Sequence, residues 1–278
     1  MFKILEREDV TPESVRMVVD APLIARKCQP GQFIMFRIDE KGERVPLTIS
    51  DFDREAGTVT IIFQKVGKTT HHLATLKAGD YIRDFVGPLG RPMTVGKVGT
   101  VACLGGGLGI ALLYPKVRAL KEEGNYVISV LGARRKDLML LEEETRAYSD
   151  ELYVTSDDGS YGLHGFVTDQ LKILLDEGKH VDEVLAVGPV PMMRASCKLA
   201  AEYDLPCVVS LDTIMVDGTG MCGSCRVTVG GETKFACVDG PVFDGHQVDW
   251  EEALARQTRY LPEEKMSLDK FLESTGEK

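Results

Sequence analysis

Segment 98–124 constrains the fold most, because an apolar strand pattern, a glycine turn and a helix pattern follow one another directly. The turn contains Gly105, Gly106, Gly107 and Gly109. Such a turn lets a pyrophosphate approach the backbone at the N-terminus of a helix. A glycine run alone is weak evidence, but its position between strand and helix predicts a nucleotide-binding unit.

Strand and helix patterns continue to alternate as far as residue 212. This alternation predicts a parallel α/β sheet, whose ligands bind at the carboxyl ends of the strands. The candidate residues at those ends are Arg134, Arg135, Asp157, Asp158, Gly188 and Pro189. Ordinary loop chemistry is the alternative, since turns favour several of these residue types.

The form of the nicotinamide cofactor depends on two of these clusters. Arg134 and Arg135, followed by Lys136, suit a 2′-phosphate and favour NADP. Asp157 and Asp158 suit free ribose hydroxyls and favour NAD. We expect NAD(H), with NADP(H) as the alternative.

Residues 1–97 contain short runs rich in Val, Ile and Phe, separated by Gly, Pro and Asp. This pattern predicts a β-barrel. One strand combines a cation with a hydroxyl and could hold a phosphate and the edge of a ring; its residues are Arg44, Val45, Pro46, Leu47 and Thr48. An edge strand with an exposed arginine is the alternative.

A second candidate in this region is Gly67, Thr69 and Thr70, which precede a predicted helix at 71–80. Hydroxyls and free amides at a helix start can bind an anion. The same residue types also cap helices without binding any ligand.

Three cysteines form the most specific motif. Cys222 and Cys225 are separated by two residues, and Cys237 follows after eleven more. Plant-type [2Fe–2S] ferredoxins use Cys-x4-Cys-x2-Cys with a distant fourth cysteine. Asp217 stands where the first cysteine would be, with four residues between it and Cys222. The spacing therefore predicts a metal or cluster site with Asp217 as an unusual fourth ligand.

Two other interpretations of this loop remain open. A zinc site would favour a second Cys-x2-Cys or a histidine pair, which the sequence lacks, and a disulfide would need only two of the cysteines. Cys207, ten residues before Asp217, is a competing fourth ligand.

Composition limits the class of protein. The 278 residues are 44% hydrophobic and 27% charged, as in soluble globular proteins, and no run of eighteen apolar residues predicts a membrane span. The net charge of −10 argues against nucleic acid as the main partner. Seven cysteines, three of them clustered, favour a reducing compartment, so we expect a cytoplasmic protein.

The predicted organisation is a β-barrel, an α/β parallel-sheet nucleotide-binding domain and a small C-terminal [2Fe–2S] loop domain. Their expected ranges are 1–97 for the barrel, 98–212 for the NAD(P) domain, 213–250 for the cluster loop and 251–278 for a helical tail.

The order of the motifs RVPLTIS, GKTT, GGGLGIA, SDDGSYGLHG and VGPVPMM resembles the ferredoxin-NADP reductase superfamily. With the cysteine loop added, residues 1–250 are similar to the electron transfer subunit of dihydroorotate dehydrogenase. The aspartate in MVDGTGMCGSCRV resembles the small (alpha) subunit of NADH-dependent reduced ferredoxin:NADP oxidoreductase, also described as the sulfide dehydrogenase small subunit.

The resemblance implies roles for the candidate residues. Val45 to Thr48 would contact FAD, with Arg44 nearby, and Thr69 and Thr70 would hold its pyrophosphate. The turn reads GKTT where the family usually has Gly-x-Gly-Thr, so Thr69 stands at a position where this chain departs from the family. Gly188, Pro189 and Met192 would lie near the nicotinamide, and Asp217, Cys222, Cys225 and Cys237 would bind a [2Fe–2S] cluster.

The resemblance also implies an oxidoreductase of the ferredoxin-NADP reductase type that works as one subunit of a heteromeric flavoenzyme. Its partner would be a larger flavoprotein subunit with [4Fe–4S] clusters, and the complex would couple NAD(H), NADP(H) and ferredoxin by electron bifurcation. This chain alone has cysteines for one cluster and motifs for one flavin, so we do not expect it to bifurcate.

Two alternatives differ in partner or in class. The chain could serve dihydroorotate dehydrogenase, or a sulfide dehydrogenase or sulfur reductase, as the electron-transfer subunit. It could also be a zinc-stabilised nucleotide-binding module without redox chemistry.

Overall fold

The computed structural model describes residues 1–276, and its first part consists of short antiparallel strands. Their branched and aromatic side chains pack well on a pleated surface. The strands are β1 (Phe2–Asp9), β2 (Ser14–Asp20), β3 (Phe33–Arg37), β4 (Val45–Thr48), β5 (Asp51–Asp53), β6 (Thr58–Gln64), β7 (Tyr81–Ile82) and β8 (Asp84–Leu89). Two helices, α1 (Pro22–Ala25) and α2 (Lys68–Thr75), lie between them.

These strands form two sheets, ordered β5-β6-β2-β1-β7 and β4-β3-β8, which do not close into one continuous hydrogen-bonded barrel among the described residues. The chain bends from one sheet to the other at Ile49 and Ser50, between β4 and β5, and at Arg83, between β7 and β8. Such corners let two sheets enclose one core without a continuous hydrogen-bonded cylinder. Met17 of β2 and Phe36 of β3 meet in that core.

The second part alternates strands with helices, which confirms the predicted parallel α/β architecture. Its elements are β9 (Thr100–Gly106), α3 (Gly109–Glu122), β10 (Tyr126–Ala133), α4 (Glu142–Arg146), β11 (Glu151–Ser156), β12 (Leu163–His164), α5 (Val167–Asp176), β13 (Glu183–Val187), α6 (Val190–Glu202) and β14 (Cys207–Ser210). The sheet order is β12-β11-β10-β9-β13-β14-β17. Of the described strands in this sheet, β17 (Val242–Asp244) alone runs antiparallel to its neighbour.

The central strands of this sheet are apolar on both faces because helices cover both faces. Leu171 of α5 and Ala200 of α6 pack on one face. Val117 of α3 packs on the other. The carboxyl ends of the parallel strands therefore remain at one edge, where the candidate nucleotide residues lie.

The chain after β14 contains a hairpin, β15 (Arg226–Val229) and β16 (Glu232–Phe235), followed by β17 and the helices α7 (Trp250–Gln257) and α8 (Leu261–Thr275). Short 3-10 turns occupy Lys136–Leu138 and Gly245–Gln247. Positions 277 and 278 of the predicted tail lie outside the described residues. Within 1–276, no helix combines the length and apolar character required to span a membrane.

Contacts through α3 join the two parts. Arg118 forms an ion pair with Asp51 of β5, with Nη1 and Oδ1 2.7 Å apart. Ile62 of β6 packs into the same apolar group as Val117 of α3. The helix that follows the glycine turn is therefore fixed against the antiparallel sheets.

Candidate functional site

The predicted nucleotide turn lies at the carboxyl end of β9, directly before α3. Gly105 and Gly106 end the strand, and no protein atom lies within 4 Å of a Cβ added to Gly107. Gly109 opens α3 so close to the end of β13 that an added Cβ would lie 2.6 Å from the Gly188 Cα. Only glycine permits this approach of helix to strand.

Met192, on the first turn of α6, contacts both glycine segments. A Cβ added to Gly106 would collide with the Met192 Sδ, and one added to Gly188 would lie 2.9 Å from the same sulfur. Pro189 precedes α6 directly. The structure therefore brings Gly106, Gly188, Pro189 and Met192 together at two neighbouring strand ends.

Arg134 and Arg135 already have acidic partners. The Arg134 Nη2 donates to the Glu13 Oε2 at 2.6 Å, and the Arg135 Nε donates to the Asp137 Oδ1 at 2.7 Å. A guanidinium already bound to a carboxylate attracts a 2′-phosphate less strongly. This pairing favours NAD over NADP.

Asp157 and Asp158 begin the loop after β11, beside these arginines. Their amides donate to the Ala133 and Arg134 carbonyls at 3.1 and 3.2 Å. The Ser160 amide donates to the Asp158 Oδ1 at 2.9 Å, and hydrogen bonding from Ser160 lowers the pKa of Asp158. Both aspartates are exposed, so their carboxylates can reach a ribose.

A hydrogen bond joins the start of α2 to Glu43, the residue before the first predicted flavin segment. The Thr69 Oγ1 donates to the Glu43 Oε2 at 3.0 Å, one residue before Arg44. The four residues from Val45 to Thr48 form β4 and are half-buried. Strand β4 and the start of α2 therefore face the same region.

Helix α2 begins at Lys68, earlier than the helix predicted at 71–80. Thr70 explains the difference, because its Oγ1 accepts hydrogen bonds from the Val66 and Gly67 amides, both at 3.1 Å. This cap uses the Thr70 hydroxyl. A pyrophosphate would therefore meet Thr70 through its backbone amide, which belongs to the first turn of the helix.

The β15–β16 hairpin explains the eleven-residue spacing between Cys225 and Cys237. Its turn contains Gly230 and Gly231 with φ of +62° and +77°, in the left-handed region that glycine readily adopts. Cys225 precedes β15 and Cys237 follows β16, so the hairpin returns the chain to its start. Their sulfurs lie 3.2 Å apart, and each residue is 2% exposed.

Asp217 and Cys222 form a second pair nearer the surface. The Cys222 amide donates to the Asp217 Oδ2 at 2.9 Å, and the Thr219 amide donates to Oδ1 at 2.5 Å. Hydrogen bonds from Thr219 and Cys222 lower the pKa of Asp217. Cys222 is exposed.

The four candidate ligands therefore form two pairs instead of one group. Among residues 1–276, no three or more His, Cys, Asp or Glu side chains are placed to hold a metal ion. A structural zinc ion needs four ligands around one point, whereas the two irons of a [2Fe–2S] cluster each take two protein ligands. Three thiols and one carboxylate in two pairs fit a two-iron cluster better than zinc.

The thiol pair packs against the strand that neighbours the flavin segment. Phe33 and Met35 of β3 form a buried apolar group with Cys225 and Cys237. Met35 is paired with Pro46 in the β3–β4 ladder. Strand β3 therefore contacts both the thiol pair and the predicted flavin strand.

Cys207, the competing fourth ligand, is directed elsewhere. It lies in β14, is 1% exposed, and places its Sγ 3.1 Å from the Cys197 Sγ on α6. Both cysteines belong to the core beneath α6. This placement removes Cys207 from the candidate ligands.

Several residues at these sites are absent from the sequence motifs. They include Glu13, Phe33 and Met35, and also Arg256, whose Nη2 donates to the Ser224 carbonyl in the cluster loop at 2.8 Å. Their partners are distant in sequence, so no local spacing reveals them. Strand β3 carries one local signal of burial on both faces. Its sequence FIMFR is apolar at successive positions, whereas a half-exposed strand would alternate apolar and polar residues.

Comparisons with known proteins agree with this geometry. Residues 212–249 match the iron-sulfur cluster binding domain of dihydroorotate dehydrogenase B. The chain is 48% identical over 275 residues to the dihydroorotate dehydrogenase B (NAD(+)) electron transfer subunit homolog of Thermotoga maritima, covering 99% of this chain and 97% of that protein. It is 37% identical over 257 residues to the corresponding electron transfer subunit of Desulforamulus reducens, covering 90% and 97%.

A solved chain from a study of flavin-based electron bifurcation, on the structure of NADH-dependent reduced ferredoxin-NADP oxidoreductase, is also similar. The two chains are 46% identical and superpose with a TM-score of 0.93, and the match covers 98% of each chain. These matches confirm the fold class and the resemblance inferred from the motifs. The chain belongs to the family of dihydroorotate dehydrogenase B electron transfer subunits and their homologues.

Proposed function

We propose that this chain is a flavin and iron-sulfur electron-transfer subunit that moves electrons between NAD(H) and a larger flavoprotein partner, as part of an NADH-dependent ferredoxin:NADP oxidoreductase. The observation that carries the proposal is the packing of the Cys225–Cys237 pair on β3, the strand hydrogen-bonded to β4. A cluster held by these thiols would share one strand with the flavin site.

The cofactors are NAD(H), FAD and a [2Fe–2S] cluster. When bound, nicotinamide supplies a hydride, flavin exchanges one or two electrons, and the cluster carries one electron at a time. The flavin would therefore connect a two-electron donor to a one-electron acceptor. The chain needs no acid-base residue for hydride transfer itself. Its task is to hold and orient the three groups.

Each part of the chain contributes a specific constraint. Gly106 and Gly188 let the Met192 side chain lie against two neighbouring strand ends, where it would contact a bound nicotinamide. Phe33 and Met35 exclude water from the thiol pair. Asp217 completes the set of four cluster ligands, since Cys207 is directed into the core.

The proposed partner is a larger flavoprotein subunit with [4Fe–4S] clusters, and electrons would leave near Cys222. That residue is exposed, and its neighbour Met221 is 88% exposed. A cluster at this edge would be accessible to a second protein. The complex would also act on ferredoxin and NADP(H), and would bifurcate electrons only when both subunits are present. We place the complex in the cytoplasm.

The second candidate assembly is dihydroorotate dehydrogenase, which is favoured by the match of residues 212–249 to that enzyme's cluster domain. A sulfide dehydrogenase or sulfur reductase is the further alternative. The partner decides between these assemblies. Electron acceptance from dihydroorotate by the complex purified with its native partner would support the first of them. Reduction of NADP⁺ that requires NADH and reduced ferredoxin together as electron donors would support our proposal.

An anaerobic titration tests the redox assignment. NADH should bleach the flavin and cluster absorption of the purified chain, and NADPH should do so more slowly because Arg134 and Arg135 are paired. Rapid bleaching by NADPH alone would contradict the preference for NAD. A colourless protein containing zinc without acid-labile sulfide would contradict the whole proposal and support a zinc-stabilised nucleotide-binding module.

Substitution of the fourth ligand tests the cluster assignment. Asp217→Cys should shift the cluster's reduction potential and electron paramagnetic resonance spectrum, because a thiolate is a softer donor than a carboxylate. The control Cys207→Ser should leave both unchanged. An unchanged cluster in Asp217→Cys, together with loss of iron from Cys207→Ser, would reverse the assignment.

A further inference from the structure

A cavity of about 420 Å³ lies between the cluster loop, the end of β14 and the helices α7 and α8. Its volume is within the range of small-molecule sites, which is about 300–1,000 Å³. The cavity lies apart from the glycine turn and from the flavin segments, because none of their residues line it. On another side it borders the cluster loop, because Cys222 and Ser224 also line it.

Three arginines line this cavity: Arg226, Arg256 and Arg259. The Arg226 Nη1 donates to the Gly223 carbonyl at 3.2 Å, and the Arg256 Nη1 lies 4.0 Å from the Glu252 carboxylate. In the described part of the chain, Arg259 has one hydrogen bond, from its backbone amide to the Arg256 carbonyl at 3.4 Å. The Arg259 guanidinium is therefore available to a ligand.

The arginines are close enough to repel one another. Burial, together with the charges of Arg226 and Arg259, lowers the pKa of Arg256. Like charges in one partly desolvated cavity are costly unless an anion binds between them. Asp212 and Glu264 also line the cavity, so three cations face two carboxylates.

The remaining walls define the other part of a ligand. The Thr213 Oγ1 is buried and has no hydrogen-bond partner among the described residues. A buried hydroxyl without a partner costs about 1–3 kcal/mol, which a ligand oxygen would offset. Val190, Leu211 and Val227 form an apolar wall.

We propose that this cavity binds a small organic anion. Its carboxylate or phosphate head pairs with Arg226 and Arg259 and accepts a hydrogen bond from the Thr213 hydroxyl, while its apolar body lies against Val190 and Leu211. The site lies apart from the glycine turn and the flavin segments and borders the cluster loop at Cys222.

Calorimetric titration of the flavin- and cluster-loaded protein tests this site. Saturating NAD⁺ is present so that the nucleotide sites are filled, and ionic strength is held constant. Phenyl phosphate and benzoate, titrated separately, identify the preferred head group by the tighter binding. Inorganic phosphate should bind about tenfold more weakly than phenyl phosphate, because it lacks the apolar body.

Variants then locate the bound anion. Arg259→Met should weaken binding about tenfold or more, and Thr213→Val about threefold. The control Lys265→Met removes a cation from α8 outside the cavity, where Lys265 pairs with Asp269, and should bind as the unchanged protein does. Equal affinities in Arg259→Met and Lys265→Met, or no saturable binding of either probe, would overturn the proposal.

Discussion

The nucleotide edge of the parallel sheet and the cluster loop are both glycine-rich, but they are held in different ways. At the nucleotide edge, Gly109 and Met192 are fixed by packing against neighbouring strand ends. In the loop, Asp217 and Cys222 are held by hydrogen bonds between near neighbours at the surface. Packing organises the first site before any ligand arrives, whereas bonds to iron contribute directly to the stability of the second.

The largest effect should come from removing a cluster thiol. Cys237→Ser should abolish cluster binding, because the alcohol is a poor replacement for a thiolate and the partner Cys225 is buried beside it. Iron and acid-labile sulfide analysis should show near-complete loss, while flavin content is retained. Cys28→Ala, in the antiparallel core, is the control and should keep full iron content. Retention of iron by Cys237→Ser would break the contrast between the two regions.

The matching test at the nucleotide edge is Gly109→Val. Its side chain would enter the space occupied by the Val187 carbonyl and Gly188, so we expect a loss of about 3 kcal/mol or more in the free energy of unfolding, with loss of NADH binding. Urea unfolding and stopped-flow flavin reduction measure these effects. Gly96→Ala, where an added Cβ meets no atom within 4 Å, should change stability by less than about 1 kcal/mol. Similar stability of both variants would mean that packing does not define this site.

A third test concerns a buried cation on α3. Lys116 is 0% exposed, its Nζ donates only to the Leu112 carbonyl among the described residues, and burial lowers its pKa to about 7. Below pH 7 the lysine is charged in both folded and unfolded states, so the full burial cost opposes folding. As the pH rises from 7 towards the ordinary pKa of lysine, the unfolded state binds more protons than the folded state. The cost of burying the charged lysine therefore falls by up to about 1.4 kcal/mol per pH unit.

Lys116→Met should therefore stabilise the protein by about 2 kcal/mol at pH 6. The gain should shrink between pH 7 and pH 9, which urea unfolding at each pH would measure. Lys121→Met is the matched control on the same helix, because Lys121 is partly exposed and paired with Asp150. A gain that is independent of pH would show that Lys116 is not titrating near neutrality.

The sequence predicted the parts of the molecule that depend on local periodicity. The order around Gly105 to Gly109 predicted the strand–turn–helix unit, and the cysteine spacing predicted the cluster domain that residues 212–249 match. The two-sheet arrangement was not predicted, because the bends at Ile49 and Arg83 depend on which strands pair across the core. Long-range pairing has no signature in a window of ten or twenty residues.

The same limit applies within the sites. Arg134 and Glu13 are 121 positions apart, so their hydrogen bond could not be inferred from either segment. Met35 joins the cluster loop to β4 only because the hairpin after Cys225 folds onto β3. Residue types and spacing therefore indicated the chemistry, while tertiary packing determined which side chains were free to perform it.

The smallest expected effect concerns cofactor preference at the nucleotide edge. Arg135 donates to Asp137 at 2.7 Å and 3.1 Å, through Nε and Nη2. Asp137→Asn removes the opposing charge and frees the guanidinium for a 2′-phosphate, so NADPH should bind up to roughly tenfold more tightly while NADH changes little. The apparent dissociation constants from stopped-flow flavin reduction provide the measurement, with Asp176→Asn as a control that frees Lys172 on α5 instead. If NADPH affinity stayed the same in both variants, pairing of Arg135 would not support the proposed preference for NAD, which would then rest on the ribose contacts proposed for Asp157 and Asp158.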